Sequence, residues 1–217
     1  MAATATGTRR VAKRFVHVWE GVTWHAVVTN VVLRVAIVIF TADAVIHASD
    51  PRFAGKGLSL RNIGIVFGFT MLFPLLQAVY GRWKRYPMWW ENLYLSIFAL
   101  DMAGNTFNLY DSWLEWDHIP HTHGPGALAL VLIGAFGFRA IAAAGLATML
   151  HLWLEIEEFY GDVLFHTHNV RDTQDQMNDL LFGLIGVILY TVLFVQWQWL
   201  KERRARAGRG RRTVRAA

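Results

Sequence analysis

The chain has 217 residues, of which 54% are hydrophobic and only 17% charged, with a formal net charge of +5. Soluble domains carry about 25% charged residues, so this balance argues against a soluble fold and for one membrane domain. There is no cysteine, which excludes a disulfide framework and thiolate metal sites and leaves histidine and carboxylate as the available ligands.

The basic residues cluster at the ends. Arg9, Arg10, Lys13 and Arg14 precede the first apolar run, and Lys201, Arg203, Arg204, Arg206, Arg209, Arg211, Arg212 and Arg215 follow the last. Clusters that flank membrane spans read as topology signals and contacts to anionic lipid, so no nucleic-acid partner is expected. Met1 to Gly7 carry no charge and no short apolar region precedes a cleavage site, so the start does not read as a secretory signal. Residues 1–25 are expected to form a basic amphipathic segment at the cytoplasmic interface, with Trp19 and Trp24 among its apolar residues.

Residues 26–200 are expected to form an all-α polytopic bundle of about six transmembrane helices, with 201–217 a basic cytoplasmic tail. The first span runs from Ala26 to His47 and contains Arg34; the second runs from Ile63 to Tyr80 and contains Pro74, which bilayer helices tolerate. The third, Trp89 to Tyr110, carries Asp101, Asn105 and Asn108 on one face. A loop of Asp, His and Trp is expected over 111–125, then a Gly/Ala-rich fourth span over 126–143 that lets neighbours approach closely. The fifth begins near Gly145, and the last covers 179–200. The fourth and fifth are expected to be short and tightly joined. Both termini, Arg82 to Arg85 and Arg139 then fall on the cytoplasmic side under the positive-inside rule; Arg52, Lys56 and Arg61 are a mild counter-signal.

This topology gathers acids and histidines on the outer side. His151, Glu155, Glu158 and Asp162 recur at helical spacing, followed by His166, His168, Asp172, Asp175 and Asp179. Asp117, His118, His121 and His123 lie in the outer loop. An ionised side chain at bilayer depth costs about 2.5–3.5 kcal/mol, so Glu155 and Glu158 require a cation, an arginine or a wet cavity. Facing carboxylates serve di-metal centres, proton relays or acid/base pairs. A purely structural network satisfied by Arg34, Arg139 or Asn105 is the competing reading. For Asp172, Asp175 and Asp179, helix capping accounts for one or two of the three.

WDHIPH in the outer loop, LEIEE in the next helix and DTQDQMND before LLFGLIG resemble the YjdF family of bacterial inner-membrane proteins, relatives of the VanZ-like group. The resemblance covers about residues 90–195. It implies a multi-pass protein of the bacterial cytoplasmic membrane with a site at Asp117, His118, His121, Glu155, Glu158 and a helix-opening Asp. The D-T-Q letters match Asp172, whereas counting back from Gly186 without a gap puts the family's two aspartates on Asp175 and Asp179, the alignment favoured here. It brings no activity, although the VanZ-like link to glycopeptide tolerance hints at envelope or lipid chemistry.

The leading expectation is an outward-facing site for a divalent metal (Zn, Fe or Mn). Its ligands are His118, His121, Glu155, Glu158 and Asp179, with Asp117 or Asp175 as general base acting on lipid or isoprenoid-phosphate head groups. The alternatives are a non-catalytic accessory subunit of a larger membrane complex and a proton or metal transporter.

Overall fold

The computed structural model describes residues 22–80 and 86–214. The amphipathic stretch before residue 22 and the Arg82–Arg85 loop lie outside the described residues. All regular structure among the described residues is helical. α1 is Trp24–Ile46, α2 Leu58–Tyr80, α3 Met88–Thr106, α4 His118–Gly134, α5 Ala140–Phe165 and α6 Thr173–Val214. Between α3 and α4 lie a helical turn at Leu109–Ser112 and a 3-10 turn at Leu114–Asp117.

Four of these helices, α1, α2, α5 and the Thr173–Arg206 part of α6, are long and apolar enough to cross a membrane. Two expected spans fall short of that. α4 has 17 residues, about 26 Å at 1.5 Å per residue, against a hydrocarbon core of about 30 Å. α3 carries Glu91, Asn92, Asp101 and Asn105 within its 19 residues. α1 exposes Val31, Val32, Val35, Val38 and Ile39, and leaving such side chains in water forgoes about 1.5–3 kcal/mol each.

The outer loop expected over 111–125 is mostly helix. α4 begins at His118 and ends before the expected fourth span does, because the chain breaks at residues 135–139 around Gly137, whose φ of +75° suits glycine. α5 is the longer partner, at 26 residues. The basic tail through Val214 continues α6 without interruption.

The chain divides into two compact units. The first runs to Trp116 and includes His166–His168. Its core joins Ile37 of α1, Ile65 of α2, and Leu95, Ala99 and Met102 of α3. Beside it lies a polar network the sequence reading did not anticipate. Glu91, 1% exposed, accepts from Arg34 (2.5 Å), Tyr86 (2.5 Å) and Asn30 (2.7 Å). Asn92 accepts from Asn30 and donates to the Ala26 carbonyl. Arg34 also donates to the Thr70 carbonyl at 3.1 Å. That carbonyl lies four residues before Pro74, which has no N–H to give it. The π-type turn Ile65–Phe69 precedes this point, and Arg34 replaces the bond that proline removes.

Several other charges of this unit, among the described residues, are also paired. Arg52 bridges Asp43 (3.2 Å) and Asp50 (3.1 Å), His47 meets Asp43 (2.7 Å), Lys56 meets Asp111 (3.1 Å) and Arg61 meets Asp101 (2.8 Å). The Arg52 guanidinium holds the Asp50 carboxyl below its ordinary value. Asp101 accepts from Tyr110 as well. The second unit comprises Asp117–Phe165 and the chain from Asn169. Its apolar core is Ala129, Leu132, Ala143, Ala147 and Val187.

Candidate metal centre

The second unit brings together five groups that the sequence spreads over 62 positions, from Asp117 to Asp179. Asp117 directly precedes α4 without a side-chain capping bond, and His121 sits one turn further on. His151 and Glu155 are successive turns of α5, and Asp179 lies near the start of α6. Asp117, His151, Glu155 and Asp179 are all buried.

His121 is the hub. Its Nε2 lies 3.2 Å from Asp117 Oδ1 and 3.7 Å from Asp179 Oδ1, while its Nδ1 lies 3.2 Å from Glu155 Oε1. His151 closes the other side, with Nδ1 at 3.7 Å from Glu155 Oε1 and Nε2 at 3.0 Å from the Asp179 carbonyl. A carbonyl only accepts, so His151 Nε2 carries the proton of that bond. Two trios result, Asp117/His121/Asp179 and His121/His151/Glu155, each with ligand atoms within 4.8 Å of one another. They share one imidazole, and a neutral imidazole has one lone pair.

Ligands at 2.0–2.1 Å from a tetrahedral ion lie about 3.3 Å apart. The 3.2 and 3.7 Å separations around His121 Nε2 are close to that edge. Asp179 Oδ1 adds an independent sign. It is buried and accepts no hydrogen bond from the described residues, an arrangement that costs about 1–3 kcal/mol when nothing compensates it.

Arg171, just before α6, supplies the positive charge on the other side of Asp117. Its Nη2 meets Asp117 Oδ2 at 2.5 Å and its Nε meets Asp175 Oδ2 at 3.4 Å. Burial pushes the Asp117 carboxyl up, but hydrogen bonds and charge from His121 and Arg171 outweigh it and hold the group below the ordinary carboxylate value. Sequence reasoning did not single out Arg171. The available signal was its solitude, since it is the only lysine or arginine among residues 151–179.

The remaining candidates have other surroundings. His118 stacks on Phe182 with ring centres 4.0 Å apart. Glu158 is half-buried on α5 and belongs to neither trio. Asp175 is half-buried against Arg171 and accepts the Arg171 backbone N–H at 3.1 Å. Asp172 caps α6 by accepting the Asp175 N–H. Asp162 accepts the backbone N–H groups of Asn169 and Val170. His123 meets the Tyr190 hydroxyl at 2.9 Å, and the His168 N–H donates to the Gly55 carbonyl within the first unit. Arg34 and Asn105 belong to the first unit, where Arg34 serves Glu91.

Neither family models, nor curated proteins, nor solved structures gave any match to this chain.

Proposed function

We propose that the chain is a multi-pass bacterial inner-membrane protein of the YjdF group that holds one divalent cation between Asp117, His121 and Asp179. The observation that carries this reading is Asp179 Oδ1, a buried oxygen without a donor beside an imidazole and a second carboxylate. One histidine and two carboxylates suit zinc, iron or manganese. Each ligand has an outer partner: Arg171 on Asp117, Glu155 on the far nitrogen of His121, and His151 on the Asp179 carbonyl. Such partners orient ligands and raise metal affinity. His118, Glu158 and Asp175, named as functional from sequence, lie outside this ligand set.

The bound ion would polarise a phosphoryl oxygen of a lipid or isoprenoid-phosphate head group and activate water. The residues themselves hold that ion, exclude bulk water by burial, and keep a guanidinium at the rim. Six spans with both termini in the cytoplasm remain the topology we propose, with α3 and α4 crossing as polar and short members among four more apolar helices.

The test is metal content of detergent-purified protein after loading with zinc, manganese or ferrous iron. Wild type should retain close to one ion per chain, and His121→Ala and Asp179→Asn should lose it. Wild type without bound ion under all three conditions overturns the reading. Turnover of lipid phosphates by loaded protein then separates an enzyme from an accessory subunit.

A further inference from the structure

We infer that Arg171 is the anion-receiving residue of this site, and that the group it takes is a phosphoryl group presented beside the ion. The inference rests on the reading of Asp117, His121 and Asp179 as a cation site and adds the residue that selects the substrate.

Exposure separates Arg171 from its neighbours. Its side chain is 38% exposed, against 11% for Asp117, 10% for Asp179 and 4% for Glu155. The carboxylates are enclosed, and Arg171 is the most exposed side chain of the cluster. A guanidinium has five N–H donors in a rigid plane. Nη2 and Nε are engaged by Asp117 and Asp175, while Nη1 makes no hydrogen bond or ion pair with the described residues. An arginine that served only to neutralise Asp117 would not need a free edge.

The two carboxylates also fix its orientation. An unconstrained arginine loses rotamer freedom when it binds an anion, whereas a fork already held loses less. Asp117 joins the two functions: Oδ2 holds Arg171 and Oδ1 faces His121. An anion on the free edge of Arg171 therefore sits one carboxylate away from the cation. The planar fork matches two phosphoryl oxygens, and a divalent cation on the far side of Asp117 offsets most of the carboxylate charge that would otherwise repel a phosphate. Anion binding should accordingly require the ion to be present.

The experiment uses full-length protein in phosphatidylcholine nanodiscs, loaded with manganese or stripped with chelator. Binding of inorganic phosphate is measured by calorimetry, and binding of phosphatidic acid by its retention in nanodiscs carrying that lipid. Loaded wild type should bind at least one probe and stripped wild type neither. Arg171→Gln removes an outer partner of Asp117, so it is compared at manganese concentrations that saturate it; there it should lose anion affinity roughly tenfold or more, the scale of a lost charge-assisted bond. Arg171→Lys, which keeps the charge on Asp117 without the fork, should fall in between and serves if the glutamine variant does not fold. Phosphatidic acid bound without inorganic phosphate assigns a lipid head group; both bound assigns the phosphoryl group alone. Loaded wild type that binds neither probe, or variants that bind as wild type does, overturns the inference while leaving the cation site standing. Failure of wild type to take up manganese, zinc or ferrous iron overturns the cation site and the inference together.

Discussion

Asp179→Asn should raise the stability of the metal-free protein while abolishing its response to metal. The substitution keeps the shape of the side chain and replaces one carboxyl oxygen by an amide that donates. In the native site Oδ1 of Asp179 is buried without a donor, and its neighbours include the carboxylates of Asp117 and Glu155 around His121. Relieving an unsatisfied buried acceptor is worth about 1–3 kcal/mol, and in a chain of this size each kcal/mol moves the unfolding midpoint by about 2–4 °C. A cation at a hundred times its dissociation constant stabilises the wild type by about 2.7 kcal/mol and should do nothing for the variant. Tryptophan fluorescence on heating in detergent, with chelator and then with excess manganese or zinc, reads both effects. A variant that melts below wild type in chelator, or that keeps the full metal shift, refutes the assignment of Asp179 as a ligand.

Other substitutions probe the surroundings. Gly183→Ala drives a methyl into the His151 ring, which should weaken metal binding roughly 10- to 100-fold by disturbing an outer partner. Gly145→Ala, with nothing within 4 Å, should leave a chelator-competition titration unchanged and so serves as the control. His118→Phe should retain metal content, since the stack on Phe182 is preserved; loss of the ion would return His118 to the ligand set. Arg34→Met leaves Glu91 and the Thr70 carbonyl without their cation, which should cost about 3–5 kcal/mol of stability. Arg34→Met with Glu91→Leu should recover most of that loss, and equal melting of the single and double variants would contradict it.

How much of this was legible in the sequence follows from what each signal measures. Apolar length found α1 closely and located α2 and α6, because a bilayer sets a minimum length on every such run, but α2 begins five residues before the expected start and α6 begins six before it and continues through the basic tail. It misjudged the region from 111 to 145, where His118, His121 and His123 made a helix look like a loop. Polar composition is a correlate of loops, whereas the backbone continued its hydrogen bonding through α4. Asp117, His121, Glu155 and Asp179 were legible as a group because acids are costly in an apolar chain. His118 and Asp117 are neighbours in sequence, yet one turns to Phe182 and the other to His121. That divergence is a matter of helix phase, invisible until the start of α4 is fixed. Glu91 escaped notice because a lone glutamate after two tryptophans reads as interfacial, and its partners lie on α1 and before α3.

The close approach of α4 and α6 explains why the site forms where it does. Asp179, Gly183, Gly186 and Tyr190 recur at i, i+4, i+7 and i+11 on α6, a single face. Each meets a residue of the site or its scaffold: Asp179 faces His121, Gly183 receives the His151 ring, Gly186 lies against the Thr122 carbonyl, and Tyr190 reaches His123 and Gly126. At Gly186 the obstacle is backbone, so no side-chain rearrangement could make room for a larger residue. Thr122 follows His121 directly, and the contact at Gly186 therefore sets how far the His121 ring stands from α6. The glycine spacing on α6 brings the imidazole within 3.7 Å of Asp179 and leaves room for His151 on the same face. Helix packing and ligand geometry are thus one constraint in this unit, and the small residues that a sequence reading assigns to packing are part of how the site is built.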